Sequence, residues 1–189
     1  GTAPERRAGK PNLILVLLDD ASAKEFSCYG GRGIETPNLD RMARDGVMFR
    51  TAWSTPLCGP SRALLHTGRY GGRTMFLHND ICPRRPFWED HAVLGRVLQS
   101  AGYATTMVGK SHFSHDPHAD LGFDEYCITR TWNGYDGPPQ AASERGSTGM
   151  YAIQWYWHPG MVADGKGVRT GPDDFGPDIE VGRIEDFIG

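Results

Sequence analysis

The sequence predicts an α/β domain with a mainly parallel sheet sandwiched by helices, and three observations carry that prediction. Residues 12–18 (NLILVLL) form an apolar run without alternation, the pattern of a strand covered on both faces. Residues 103–108 (YATTMV) form a second such run. Between them lie helical patterns with start and stop signals, so strand, helix and strand alternate over residues 1–110.

Taken in order, residues 1–11 (GTAPERRAGKP) read as a loose leader. The first strand stops at Asp19-Asp20, placing two carboxylates at its C-terminal end, where open α/β sheets bind ligands. Gly30-Gly31-Arg32-Gly33 is a loop. Thr36 then reads as an N-cap with Pro37 at the first helical position. Leu39, Met42 and Ala43 give this helix its apolar stripe, and Gly46 stops it. Residues 47–52 suit a short strand and residues 56–59 a turn; Pro60 opens a second helix that ends at Gly68. A third helix starts near Asp90, with Val93, Leu94, Val97, Leu98 and Ala101 on its core face and Gly102 as its cap. The second strand ends at Gly109-Lys110.

Past residue 129 the character changes. Residues 130–178 are rich in Gly and Pro with little periodicity, and read as a long loop-rich excursion carrying Trp132, Tyr135, Trp155, Tyr156 and Trp157. Those aromatics suit either a sugar or aryl pocket or packing against a further part of the fold. A helical pattern resumes over residues 181–188. The chain thus divides into 1–11, 12–129, 130–178 and 179–189.

Composition narrows the function. A formal charge of −3 does not suit a nucleic-acid binder, and 11% aromatics with five Trp do not suit a disordered chain. The longest apolar run, residues 13–18, falls far short of the roughly 18 residues of a membrane span. The first ten residues are polar and hold no signal-peptide core. Residues 1–110 carry 15 Lys/Arg against 10 Asp/Glu, and residues 111–189 carry 5 against 13. The first part therefore either attracts anions or is an ordinary solvated face. Four cysteines (Cys28, Cys58, Cys82, Cys127) contain no C-x-x-C pair and are too sparse for a disulfide scaffold, though one disulfide is compatible with them.

Three clusters could carry chemistry. Asp19-Asp20 suits a hard divalent cation, or else one helix cap and one solvated carboxylate. Cys58-Gly59-Pro60-Ser61-Arg62 sets a cysteine at the mouth of a helix, where N–H groups favour thiolate and anions and Arg62 lies one turn in; it also fits a buried cysteine before a Pro-capped helix. Gly109-Lys110-Ser111-His112 offers a point charge and a proton carrier at a strand end, or a solvated Lys and a packed His. His112, His115 and His118 recur every three residues, but Asp116-Pro117 makes a loop there and no scaffold for zinc.

These residues resemble the sulfatase family of the alkaline-phosphatase-like superfamily. Cys58-x-Pro60-Ser61-Arg62 followed by Thr67-Gly68-Arg69 resembles its most specific signature, whose cysteine is oxidised to formylglycine. Asp19-Asp20 resembles its first metal-ligand pair, and Cys28-Tyr29-Gly30-Gly31 with Thr36-Pro37-Asn38-Leu39-Asp40 its usual continuation. Gly102-Tyr103-x-Thr105 through Gly109-Lys110 and His112 resembles its second signature, followed by Leu121-Gly122-Phe123-Asp124. The likeness covers about residues 11–126. It departs at His66, where an apolar residue is usual, and at Ser111, where an aromatic one is.

The resemblance implies an alkaline-phosphatase-like fold, incomplete in this chain, and hydrolysis of sulfate esters. Formylglycine at position 58 would be hydrated to a diol; one hydroxyl attacks sulfur, and the other lets sulfate leave as the aldehyde re-forms. The implied metal is calcium in preference to magnesium, held by Asp19, Asp20 and position 58. Arg62 is implied to hold the diol, Lys110 to bind a sulfate oxygen and His112 to orient the diol. The implied partners are a small-molecule or carbohydrate sulfate ester, a formylglycine-generating or other sulfatase-maturing enzyme, and the remaining half of the catalytic domain, which holds the other metal and anion ligands. A periplasmic, secreted or lysosomal-type location is implied. Two alternatives stand beside this: a phosphonate or phosphate monoester hydrolase of the same superfamily, and an inactive fragment or anion-binding half-site.

Overall fold

A computed structural model of the chain describes residues 9–79, 86–112, 116–129, 156–157 and 159–189. After Asp20 come two single-turn segments, Ala23–Glu25 and Ser27–Tyr29. Ser22 and Glu25 open the first with a reciprocal capping box. Helix α1 (Pro37–Asp45) starts at Pro37 as the sequence predicts. Thr36 does not cap it by side chain; its hydroxyl instead meets Ser27 Oγ at 2.7 Å, and Ser27 Oγ donates to Asp40 at 2.8 Å.

Helix α2 spans Cys58–Thr67, two residues earlier than Pro60 suggests. Proline is tolerated there because N–H groups of the first turn have no partner inside a helix. Gly68 ends α2 at φ +64, the left-handed conformation that glycine adopts without strain. Short helices α3 (Gly71–Thr74) and α4 (Phe87–Asp90) precede α5 (Leu94–Ser100). The single helix expected from Asp90 is therefore split from α4 by extended backbone at His91, and Val93 enters the core as the residue capping α5. Strand β1 (Thr106–Gly109), helix α6 (Pro117–Leu121), strand β2 (Glu125–Thr129), strands β3 (Met161–Ala163) and β4 (Lys166–Val168) and helix α7 (Gly176–Ile188) complete the described elements. Helix α7 begins five residues before the predicted residue 181.

The sheet runs β1-β2-β3-β4. Only β1 and β2 are parallel; β2 with β3 and β3 with β4 are antiparallel, so the described sheet is mixed rather than mainly parallel. The β3–β4 hairpin lies inside the stretch read as loop. Asp164 and Gly165 turn it at φ +47 and φ +77, and two residues at positive φ define the hairpin turn that Asp-Gly favours. That dipeptide was the legible signal for it.

Helices cover both faces of the sheet. Tyr126, Ile128 and Val162 form one apolar face, joined through Met107 to Val93, Leu121 and Phe123. Cys127, Met161 and Ala163 form the other, against Val108 and Ile179 of α7. Alternation along β2 sends Tyr126 and Cys127 to opposite sides. Tyr156 stacks on Phe175 and Trp157 meets the same ring at a tilt; Trp132, Tyr135 and Trp155 lie outside the described residues.

Two predicted strands are corrected. Residues 12–18 join no ladder, and their apolar side chains are 47–74% exposed from Leu13 to Leu18. Residues 47–52 also form no strand, with Val47 and Phe49 exposed. Leu39 and Met42 of the α1 stripe are exposed as well. Local sequence sets the apolar character of a strand, but pairing and cover come from other segments. Among the described residues, none supplies a ladder to these. No described helix is long and apolar enough to cross a membrane.

Candidate active site

Cys58 is the first residue of α2 and follows Leu57, whose side chain cannot cap. The exit of β1 brings Lys110 and His112 to the same point, helped by backbone at positive φ at Gly109 (+93) and His112 (+78). Lys110 Nζ lies 3.8 Å from Cys58 Sγ, and His112 Nδ1 lies 3.7 Å from it. The loop after α3 adds Asn79, whose Nδ2 donates to Cys58 Sγ at 3.3 Å while its Oδ1 accepts the Gly59 N–H at 3.0 Å. Three nitrogen groups thus converge on one sulfur.

Gly59 is what lets them approach. A Cβ there would sit 2.7 Å from His112 Cδ2, 2.7 Å from Phe76 Cε1 and 2.8 Å from Asn79 Oδ1. Phe76 is fully buried against Ala63 and Phe87, which fixes the loop that carries Asn79.

Arg62 sits one turn into α2 and is buried. Its guanidinium donates to the Lys110 carbonyl at 2.7 Å and approaches Asp19 Oδ1 at 3.5 Å. Its Nε is buried without a protein acceptor, so the group retains donor capacity for an anion. Lys110 Nζ donates to Asp19 Oδ2 at 2.7 Å. Burial works to raise the Asp19 carboxyl, but the Lys110 and Arg62 cations outweigh it and hold it below its ordinary value. Asp20 stands beside it at φ +54.

The structure therefore brings Asp19, Cys58, Arg62, Lys110 and His112 into one cluster, with Asp20 adjoining. Asn79 is the member that sequence reasoning missed; a lone Asn between His78 and Asp80 has no pattern to mark it. Further along α2, His66 is buried edge-on to Phe123. Burial first and Arg62 second push its imidazole down to about 4. His118 contacts the Phe123 carbonyl through Nδ1 at 2.8 Å, and His115 lies outside the described residues. Cys28, Cys58 and Cys127 are free thiols.

Asp19 and Asp20 are oxygen donors of the kind a hard divalent cation takes, so they fit such a metal in kind. No group of three or more His, Cys, Asp or Glu that could hold one gathers among the described residues.

Fold and cluster together define an α/β domain in which a cysteine at the first position of a helix faces cationic and amide donors. A sulfatase family model matches residues 11–156, and the chain belongs to the sulfatase family. It is 38% identical over 120 residues to an N-acetylglucosamine-6-O-sulfatase of Bacteroides thetaiotaomicron, covering 63% of this chain and 20% of that protein. It is 39% identical over 129 residues to the human N-acetylgalactosamine-6-sulfatase, covering 61% of this chain and 25% of that one. The solved structure of BT4656 with its substrate D-glucosamine-2-N,6-O-disulfate superposes with a TM-score of 0.67 at 30% identity, over 90% of this chain and 29% of that one. The structure of Ps i-CgsB gives 0.71 at 27% identity, over 95% of this chain and 41% of that one. The chain thus spans a quarter or less of these two curated relatives.

Proposed function

We propose that this chain carries the nucleophile-bearing part of a sulfate-ester hydrolase, with residues 12–129 as the N-terminal part of its catalytic domain. The observation that supports this best is the convergence of Lys110, His112 and Asn79 on Cys58 Sγ, with Arg62 behind. Cationic and amide donors fixed around one atom suit charge that develops on a transferring oxyanion.

In this reading a sulfatase-maturing enzyme oxidises Cys58 to formylglycine, which supplies a hydrated aldehyde whose hydroxyl is the nucleophile toward sulfur. Calcium, held by Asp19, Asp20 and position 58, would supply Lewis-acid polarisation of the sulfate oxygens. Lys110 binds a sulfate oxygen by its ammonium. Arg62 stabilises negative charge at position 58 and, through the Lys110 carbonyl, holds the β1 exit against α2. His112 orients the hydroxyl at position 58 by hydrogen bond. Two carboxylates do not complete a calcium shell of six to eight oxygens, so the remaining ligands come from the rest of the catalytic domain, the partner of this segment.

The substrate class proposed is a carbohydrate sulfate. Both the N-acetylhexosamine sulfatases and the glucosamine-disulfate complex among the relatives favour it.

Co-expression with a maturing enzyme, followed by mass spectrometry of the peptide containing Cys58, tests the reading. Formylglycine is expected; persistent thiol counts against it. Parallel assays of the complete enzyme with sugar sulfates, aryl sulfates and phosphonate esters are expected to show turnover of sulfates first. Preferential phosphonate turnover would reassign the reaction.

A further inference from the structure

We infer that Asn79 is a positioning residue that fixes the side chain of residue 58 and the first turn of α2 as one unit. The inference rests on the proposed sulfatase reading only for its catalytic consequence, since the geometry stands without it.

Helix α2 begins with a deficit. Its capping residue, Leu57, has no side-chain acceptor, so N–H groups of the first turn lack the usual local partner. Asn79, 21 residues beyond Cys58, supplies that acceptor from another segment: its Oδ1 takes the Gly59 N–H at 3.0 Å. A backbone N–H can only donate, so this bond sets which end of the amide is which. The NH₂ is then left facing Cys58 Sγ, which it meets at 3.3 Å. The donor presented to position 58 is thereby fixed in direction by a bond to the very next residue.

The support around the amide is rigid. Asn79 follows Phe76, which is buried beside Ala63 of α2, and Phe76 N–H is held by Thr74 Oγ1 at 3.4 Å. His112 Cδ2 and Asn79 Oδ1 both crowd the space where Gly59 lacks a Cβ. The side chain at position 58 is therefore walled by the Asn79 amide, the His112 ring and the Lys110 ammonium. The Asn79 amide is a neutral donor with no titratable proton. It holds the reacting group in place without competing for the charge of the substrate.

Two measurements on the full chain and the complete enzyme test this. In the first, position 58 is kept as Cys, and alkylation by iodoacetamide is followed by mass spectrometry in wild type, Asn79→Ala and Asn79→Asp. Asn79→Asp keeps the acceptor for Gly59 but turns a carboxylate oxygen to the sulfur, opposing negative charge there. Alkylation of Cys58 is expected to slow about tenfold in Asn79→Asp and less in Asn79→Ala, with Cys28 unchanged as internal reference. Cys127 is 1% exposed and stays unlabelled in any variant that remains folded; for a variant that labels it, Asn79→Ser takes its place. Equal rates at Cys58 in all folded variants overturn the inference. In the second, the matured enzyme is assayed on a sulfate ester. Both substitutions are expected to lower kcat about tenfold with KM held within about twofold, because a misplaced nucleophile slows the reaction without weakening substrate binding. A fall in KM-linked binding alone also overturns it. If wild type hydrolyses no sulfate ester, the sulfatase reading fails while the alkylation result still decides the role of Asn79.

Discussion

Lys110 Nζ donates to Asp19 Oδ2 at 2.7 Å, joining the exit of β1 to the end of the apolar run 12–18 across 91 residues. This ion pair ties the otherwise unladdered segment 12–18 to the cluster around Cys58. The Lys110 side chain is 18% exposed and that of Asp19 30%, so the pair sits at the surface edge and is partly screened by solvent. Replacing Lys110 by Met is expected to cost about 1–2 kcal/mol, read as a lower denaturant midpoint. The sign with pH follows from Asp19. Its folded value lies below its ordinary 3.8, so its stabilisation is present above pH 3.8 and lost as pH falls through the folded value. Acid unfolding of Lys110→Met is expected at higher pH than in wild type.

Calcium added to this chain meets two carboxylates, one of them engaged by Lys110. Affinity follows ligand number and site rigidity, so calorimetric titration is expected to show weak binding. Tight one-to-one binding would contradict a shell completed by the rest of the catalytic domain.

His66 is buried with its imidazole pushed down to about 4 from 6.5. Above pH 6.5 both folded and unfolded states are neutral at this site. Between 6.5 and 4 the unfolded chain takes up a proton that the folded one refuses, so stability falls as pH falls. The loss approaches about 2–3 kcal/mol by pH 4. His66→Leu is expected to remove this component, so a comparison of urea midpoints at pH 7 and pH 4.5 shows a smaller drop in the variant. An equal drop would place the acid sensitivity elsewhere.

Gly59→Ala puts a methyl group 2.7 Å from both the His112 and Phe76 rings. Overpacking of this kind costs about 1–3 kcal/mol. It is expected to lower the thermal midpoint and, under the proposed sulfatase reading, to abolish most sulfate-ester turnover of the complete enzyme by displacing His112. Full activity in this variant would show that the close approach of His112 is not needed.

The six exposed apolar side chains from Leu13 to Leu18 are expected to make the isolated chain self-associate at micromolar concentration. Val16→Lys, at the most exposed of them (74%), is expected to reduce association by light scattering while changing stability by under about 0.5 kcal/mol.

Much of this was legible in residue order. Pro37 and Gly68 mark helix ends through fixed φ and left-handed backbone, which are local properties. Cys58, Arg62, Lys110 and His112 stand out because reactive residue types follow turns and strand ends. Asp164-Gly165 was equally local but was masked by the Gly- and Pro-rich stretch around it. Asn79 was not legible, because nothing near it in sequence shows which donor and acceptor it will meet.

The sequence by itself determined both ends of α1, the C-terminal end of α2, the presence of a strand overlapping residues 103–108, and membership of the family through spaced motifs. Each of these depends on backbone preferences or residue types within a few positions. Only the tertiary structure decided that residues 12–18 pair with no described strand and that the sheet turns antiparallel after β2. It also decided that Asn79 stands against Cys58 and that Lys110 closes on Asp19. The contacts among them join residues 21 or more positions apart, and local chemistry restricts such contacts without selecting among them.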